Sequence, residues 1–458
     1  MKILVVSLLR LGDILLSTSV LRSLRHKFPN AEIHILINGQ FSAVAEMIPS
    51  IDKVFTFDRE ALQEIIGSPD RNLLEAYFRV EDLGEKLKSE KYDKVINLTH
   101  NRLSGWITAF IACPDTRGVM FGAQGKFSVG SKWFDYLNDF VDAHRTNTFH
   151  FVDVFHYGAG IATRDRRIIL NETSMAKDFA KQVIGAHSGP VIAIQPFSAE
   201  VKKTFNFKKW AEIISLIKKL EPTSKILILG APNEKYGVSE ISKNSDSVEV
   251  ICTLSEAFSI LNRVQLLITG DTSIKHMAAS VSDLKVLEIS LGSSEYLKTG
   301  VYKEGSVIIQ GLAPCAPCSH RTLCTQPTHL CGDHVSSDLV AMAASSILRH
   351  DELGLRTLAY EDRKVVTIAR THISNNGDWS AYPLGHKLSA SEINSWVDRA
   401  SFKLYLEGSH SEPVGEFGTE GLHLKSVLEN MFPENSKFDW SQELGILENG
   451  IEDFEEEL

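Results

Sequence analysis

Twice along the chain, short apolar runs alternate with stretches whose apolar positions recur at helical spacing, and that alternation leaves few folds open. Residues 2–8 (KILVVSL) are apolar at nearly every position, as a strand covered on both faces of a parallel sheet must be. Residues 14–28 then carry Leu, Ile or Val at helical spacing, and Pro29 closes that helix. Strands follow at 32–37, 53–57 and 94–98, separated by a short helix at 44–47 and a polar, helical stretch at 58–90; a helix at 106–112 completes the series. The pattern restarts at Pro190, with strands at 191–194, 225–229, 248–252, 266–268 and 285–289. Helices at 210–220, 234–241, 256–261 and 336–348 lie between and after them. The fold class expected is α/β: two Rossmann-like, doubly wound halves, residues 1–165 and 185–350. Residues 122–145 read as a long loop and 293–335 as irregular.

Residues 355–458 form an extension to which no fold is assigned. Within it 365–369 reads as a strand, 391–406 and 422–431 as amphipathic helices, and 448–458 as a disordered acidic tail. The net charge of −10 belongs to its end: residues 401–458 hold three Lys, no Arg and fourteen Asp or Glu, which leaves the first 400 residues at +1. The acidity therefore says nothing about the ligand of the main body. A chain ending near Gly354 is expected to fold and to bind nucleotide. No apolar run approaches the ~18 residues of a membrane span, and the opening apolar run lacks a small-residue cleavage site, so it reads as a strand and a cytoplasmic location follows as the default.

The candidate chemistry gathers where strands end. In doubly wound sheets, ligands collect at the carboxyl ends of the strands. Leu11-Gly12-Asp13 follows the first strand and opens the first long helix. A carboxylate there either caps the helix or serves as a base, with Gly12 allowing close backbone approach. In the second half Gln265–Ser280 reads as a strand, a turn at Gly270-Asp271, and a helix start at Thr272-Ser273 ahead of His276. The unpaired N–H groups at such a capped start can receive a phosphate. Ser198 and Lys203 follow another strand of that half and can bind phosphate oxygens, and Glu234 follows a third and can accept from ribose hydroxyls. The plainer alternatives are a solvated basic loop and an acidic helix start.

Six cysteines are present. Cys113 and Cys252 sit in apolar surroundings as small buried residues. Cys315, Cys318, Cys324 and Cys331 cluster, but a second C-x2-C pair is missing. Reduced thiols fixing an irregular loop are preferred there over structural zinc.

Taken together these motifs resemble glycosyltransferase family 9, the heptosyltransferases of lipopolysaccharide core assembly, over about residues 1–350. The first strand runs into Arg10-Leu11-Gly12-Asp13-Ile14-Leu15-Leu16-Ser17-Thr18, close to the family's usual start. Lys203 stands seven residues before Trp210-Ala211-Glu212, Gly230-Ala231-Pro232 with Glu234 resembles the ribose segment, and Asp271 to His276 resembles the family's Asp-Thr-Gly-Pro-Met-His run. Ser273, Ile274 and Lys275 depart from that run, and Phe205 from a usual Trp. The resemblance implies a GT-B fold, two facing Rossmann-like domains with the acceptor side first. It implies transfer of heptose from ADP-heptose to lipid A–Kdo or core sugar, with inversion, no catalytic metal and no cofactor. Asp13 would be the base, with Ser198, Lys203, Glu234, Asp271, Thr272, Ser273 and His276 on the donor. The implied partners are a nucleotide-sugar donor and a lipopolysaccharide acceptor at the cytoplasmic face of the inner membrane, with no nucleic acid. The alternative from another class is a non-catalytic scaffold or regulatory protein that binds a nucleotide or glycan.

Overall fold

The computed structural model describes residues 1–68, 72–122, 124–140, 149–161 and 163–385, and, beyond them, 399, 402–403 and 405–407. The chain divides into two units, Met1–His386 and Lys387–Leu458. In the second unit the described residues are helical. Most of the helix read at 391–406, and the whole of 422–431 and 448–458, lie outside the described residues.

The first unit contains both α/β halves. The N-terminal sheet is built from β1 (Lys2–Ser7), β2 (Glu32–Asn38), β3 (Lys53–Phe57), β4 (Lys94–Asn97) and β5 (Thr116–Arg117), in the order β3-β2-β1-β4-β5. All of its pairings are parallel, with Lys2 facing Glu32 and Ile3 facing Lys94. Ile3, Leu4, Val5 and Val6 are buried, which explains why the run is apolar without alternation. Helix α1 (Leu11–Lys27) follows directly and turns Ile14, Leu15, Leu16, Val20, Leu21 and Leu24 inward. The stretch read as a loop at 122–145 is more ordered than expected where it is described. A ribbon of β6 (Met120–Phe121) and β7 (Phe127–Ser128) leads to a helix, Lys132–Phe140. Aromatic packing holds that helix: Trp133 stacks on Tyr157 at 4.4 Å and meets Phe149 edge-on at 5.0 Å. Trp133, Phe134, Tyr136 and Leu137 are all buried and recur at helical spacing, so the helical period is present in the sequence, over a stretch only nine residues long.

The second sheet comprises β8 (Val191–Gln195), β9 (Lys225–Gly230), β10 (Val248–Ile251), β11 (Leu266–Thr269), β12 (Lys285–Ser290), β13 (Val307–Gly311), β14 (Val366–Ile373) and β15 (Trp379–Pro383). The order is β10-β9-β8-β11-β12-β13-β14-β15. The pairings are parallel as far as β13; β14 and β15 then add as an antiparallel hairpin. In both sheets the strand order reverses beside the first strand, between β1 and β4 and between β8 and β11. At such a reversal the connections leave to opposite faces and open a crevice at the strands' carboxyl ends.

The hairpin corrects the boundary drawn at 355. Residues 355–385 complete the second sheet and do not form a separate extension: a helix, Glu352–Asp362, turns back so that β14 pairs with β13, from Gly311 against Val366 to Val307 against Arg370. The hairpin also carries a buried polar knot. Trp379 is fully buried; its amide donates to Asp153 Oδ2 at 3.0 Å and its indole N–H to the Val301 carbonyl at 2.9 Å. Arg166 bridges Asp153 at 2.7 Å and Asp378 at 2.8 Å, while the Tyr302 hydroxyl donates to Asp153 at 2.7 Å and the Tyr157 hydroxyl to Asp378 at 2.6 Å. Every member thus has a partner that a shortened chain would remove or disturb.

A chain ending at residue 354 is therefore expected to be unfolded or insoluble, against the expectation from sequence. In the full chain Trp379→Ala should lower stability by ~3–5 kcal/mol, the usual loss for a large buried aromatic. Denaturant melts followed by circular dichroism measure both; a folded chain ending at 354 would show that the hairpin is an accessory.

Candidate active site

Each half brings the residues after its strand-order reversal to the same place. Asp13 stands in the first turn of α1, just beyond β1, and its Oδ2 accepts the Arg10 amide at 3.0 Å. It is thus a helix cap in its resting bonds, and the two roles weighed for it are not exclusive. On the other side β11 ends at Thr269, and a short helix, Ser273–Ala278, begins after Thr272. The Thr272 hydroxyl lies 3.2 Å from that of Thr269 and makes no capping bond, so the amides of this helix start carry no side-chain cap. α1 packs on this helix. A Cβ added to Gly12 would lie 3.0 Å from Cδ2 and 3.3 Å from Nε2 of His276. A side chain there would press on His276 and push the ring back by a few tenths of an ångström, so Gly12 suits the close approach of the two halves.

Asp271 is the hub of the charges here. Its Oδ2 accepts from Lys203 Nζ at 2.9 Å and its Oδ1 from Lys275 Nζ at 2.6 Å. Lys275 is fully buried and also donates to Glu288 Oε1 at 2.7 Å. Lys203 lies 3.5 Å from Glu200, which in turn faces Lys202 at 3.3 Å and Arg10 at 3.6 Å. Burial alone would raise the Asp271 carboxyl, but the Lys275 and Lys203 ammoniums beside it hold it well below the usual carboxylate range. For Asp13 burial wins: its carboxyl is raised, against the Arg10 amide and the Arg10 charge, with the Asp271 charge adding to the rise and Lys203 opposing it. Burial, together with the Lys275 charge, lowers the His276 imidazole to about 3, and its Nδ1 has no hydrogen-bond partner among the described residues.

The other expected residues divide. Lys203 is buried beside Asp271, whereas its neighbour Lys202 turns away to the carbonyls of Ser319 and Thr322, at 2.7 and 2.6 Å. Ser198 is half-buried in the loop after β8, and its hydroxyl takes the Glu200 amide at 3.4 Å. Glu234 caps its own turn by accepting the Ala231 amide at 2.8 Å, and burial raises its carboxyl. Sequence reasoning missed Glu200 and gave Lys275 no role. A Lys beside a Glu two or three positions earlier looks like an ordinary surface pair until the fold buries it. The four clustered cysteines do not bring three ligand atoms together among the described residues. Cys324 is exposed, and Cys331 is buried with its sulfur taking the Gly292 amide at 3.4 Å.

The sequence model of glycosyltransferase family 9 (heptosyltransferase) matches residues 80–329, more than half of the chain. The chain belongs to that family. No curated protein matches it in sequence. Among solved structures it is similar to a family 9 glycosyl transferase from Veillonella parvula, with 18% identity and a TM-score of 0.59, covering 76% of this chain and 98% of that one. It is also similar to E. coli ADP-heptose lps heptosyltransferase II (16% identity, TM-score 0.51, 77% and 100% covered). The E. coli heptosyltransferase WaaC with ADP-2-deoxy-2-fluoro heptose stands close to it (15%, 0.50, 77% and 100%). At these identities the likeness speaks for the fold, which is of GT-B type, and membership makes this chain a glycosyltransferase of the heptosyltransferase kind. Among the described residues no helix is long and apolar enough to cross a membrane.

The closed surroundings of His276 give a direct check. In the full-length chain its imidazole resonances should not titrate between pH 8 and about 4.5, because burial disfavours the charged ring. An apparent pKa above 6 would show that the ring is solvated and the contact with Gly12 open.

Proposed function

We propose that this glycosyltransferase moves a heptose from ADP-heptose to a lipopolysaccharide core sugar or lipid A–Kdo, with inversion at the anomeric carbon. The observation that carries the proposal is the meeting of Asp13 with the Asp271–Lys203 pair, from the carboxyl ends of two different sheets. The ADP-heptose and lps named for the E. coli relatives support the choice of donor and acceptor.

In this reading the acceptor hydroxyl arrives beside Asp13. The Asp13 carboxylate takes its proton as the oxygen attacks the anomeric carbon, the bond to the diphosphate breaks, and ADP leaves with the electron pair. A raised carboxyl suits this work, since a more basic carboxylate accepts the proton with more driving force. Charge develops on the departing diphosphate, where Lys203, the Ser198 hydroxyl and the helix start at Thr272-Ser273 stand ready to receive it. Those groups do what a metal ion does in other transferases, so the scheme needs none. Glu234 is assigned to the ribose hydroxyls and His276, as a neutral donor, to the phosphates. Transfer takes place at the cytoplasmic face of the inner membrane, where such an acceptor lies.

ADP release from ADP-heptose in the presence of a lipid A–Kdo acceptor tests the proposal. Asp13→Asn keeps the bond to the Arg10 amide but cannot take a proton, and turnover should fall ~10²-fold or more with donor affinity little changed. In the native chain kcat/KM should decline as pH drops through the raised pKa of Asp13, at a pH above the ordinary carboxylate range. Nucleotide binding without transfer to any core acceptor would favour the scaffold reading instead.

A further inference from the structure

The scheme leaves Lys275 idle, although it is among the most confined charges in the chain. It is fully buried on a six-residue helix, and its ammonium is shared between Asp271 Oδ1 at 2.6 Å and Glu288 Oε1 at 2.7 Å. Glu288, on β12, spends its other oxygen on the Val301 amide at 2.8 Å. Withdrawing such a pair from water is costly, and an apolar side chain of similar volume would fill the space without that cost. What the apolar side chain cannot do is compensate Asp271. The Asp271 carboxylate carries two ammoniums, one on each oxygen, and each ammonium has a second carboxylate beside it, Glu200 at 3.5 Å for Lys203 and Glu288 at 2.7 Å for Lys275. The charged and titratable groups around the carboxylate are thus Lys203 and Glu200 from the loop after β8, Lys275 and the neutral His276 from the short helix, Glu288 from β12, and Arg10 and Asp13 from the start of α1.

A lysine that is the sole counter-ion of a buried carboxylate cannot turn to a ligand without leaving that carboxylate unpaired, and an unpaired buried charge is strongly disfavoured. A lysine that shares the carboxylate can. We infer that Lys275 is a positioning residue that keeps Asp271 compensated, so that Lys203 can exchange Asp271 for the diphosphate of the donor. The inference rests on the reading of Lys203 as the donor lysine.

The test is a mutant cycle on the full-length chain, with ADP as the probe and affinity read by calorimetry. Lys203→Ala in the native chain should weaken ADP about ten-fold or more, as loss of a charged hydrogen bond does. Lys275→Met combined with Glu288→Gln leaves no unpaired charge between them. It should weaken ADP by about ten-fold through retention of Lys203 on Asp271, and adding Lys203→Ala should then cost less than about three-fold, because coupled residues are not additive. Equal losses from Lys203→Ala in both backgrounds would overturn the inference and leave Lys275 a structural ion pair. Should the paired variant fail to fold, Glu288→Gln alone decides. It keeps shape and commits Lys275 wholly to Asp271, so ADP should bind at least as tightly as in the native chain, and weaker binding would overturn the inference. A native chain that binds neither ADP nor UDP nor GDP removes the donor reading of Lys203 and this inference with it, whereas ADP binding with additive losses removes the inference alone.

Discussion

A single carboxylate shared by two ammoniums organises this site. Asp271 sits where β11 ends, at the strand-order reversal of the second sheet, and Lys203 and Lys275 reach it from different elements. A buried anion must be compensated or it takes up a proton. With a counter-ion on each oxygen it is compensated and stays ionised at neutral pH, and its charge is felt across the crevice at Asp13. The halves can come this close because Gly12 offers no side chain to His276. Position, charge and proximity at the site therefore follow from three short segments, each at the end of a strand, and the rest of each half holds those strand ends in register.

The hairpin β14–β15 belongs to that holding. Parallel sheets of this type leave an edge strand whose unpaired amides invite association. Here β13 is covered by β14, and β14 by β15, both in antiparallel pairing, and the second pair is joined by a tight connection. The tip of the hairpin then lands on the Asp153–Arg166 pair, which lies in the segment joining the two halves. A buried ion pair does little for stability by itself, because desolvation offsets attraction. What it does supply is a requirement for one partner geometry. Asp153 accepts from a guanidinium, a tyrosine hydroxyl and the Trp379 amide at once, so the hairpin, β13 and the linking segment have one mutual arrangement that satisfies it.

Much of this was legible from the sequence, for reasons that mark the limit of such reading. Strands such as 2–8 and 266–268 stand out because a strand buried on both faces must be continuously apolar, and α1 stands out because a half-buried helix must repeat every 3.6 residues. Asp13, Lys203 and Asp271 could be picked because ligands in such sheets gather at strand ends. The hairpin was hidden by its place after a long helical stretch, where one apolar run at 365–369 gives no hint of which strand it pairs with. Its partner β13 lies more than fifty residues earlier, and pairing at that separation leaves no local trace. The helix Lys132–Phe140 carries its buried Trp133, Phe134, Tyr136 and Leu137 on one face, a period visible in the sequence but only nine residues long. Lys275 was legible as a departure from the family's run but not as a charge bound on two sides, since Glu288 stands thirteen positions away on another strand.

The two carboxylates nearest the crevice differ in proton affinity in opposite directions, and that difference assigns their work. Burial acts on both to disfavour ionisation. At Asp271 two ammoniums in direct contact overwhelm it, so the group stays charged and serves as a fixed anion that a proton does not reach. At Asp13 the opposing contributions are one backbone amide and charges that are not in salt-bridge contact with it, and burial prevails. A pair of groups whose surroundings push their proton affinities apart divides into an electrostatic partner and a proton acceptor. In the proposed scheme the proton acceptor is Asp13, whose proton affinity burial raises, and it also stands on the half opposite the lysine proposed to meet a diphosphate. On that proposal, the choice of base follows from which carboxylate the lysines leave alone.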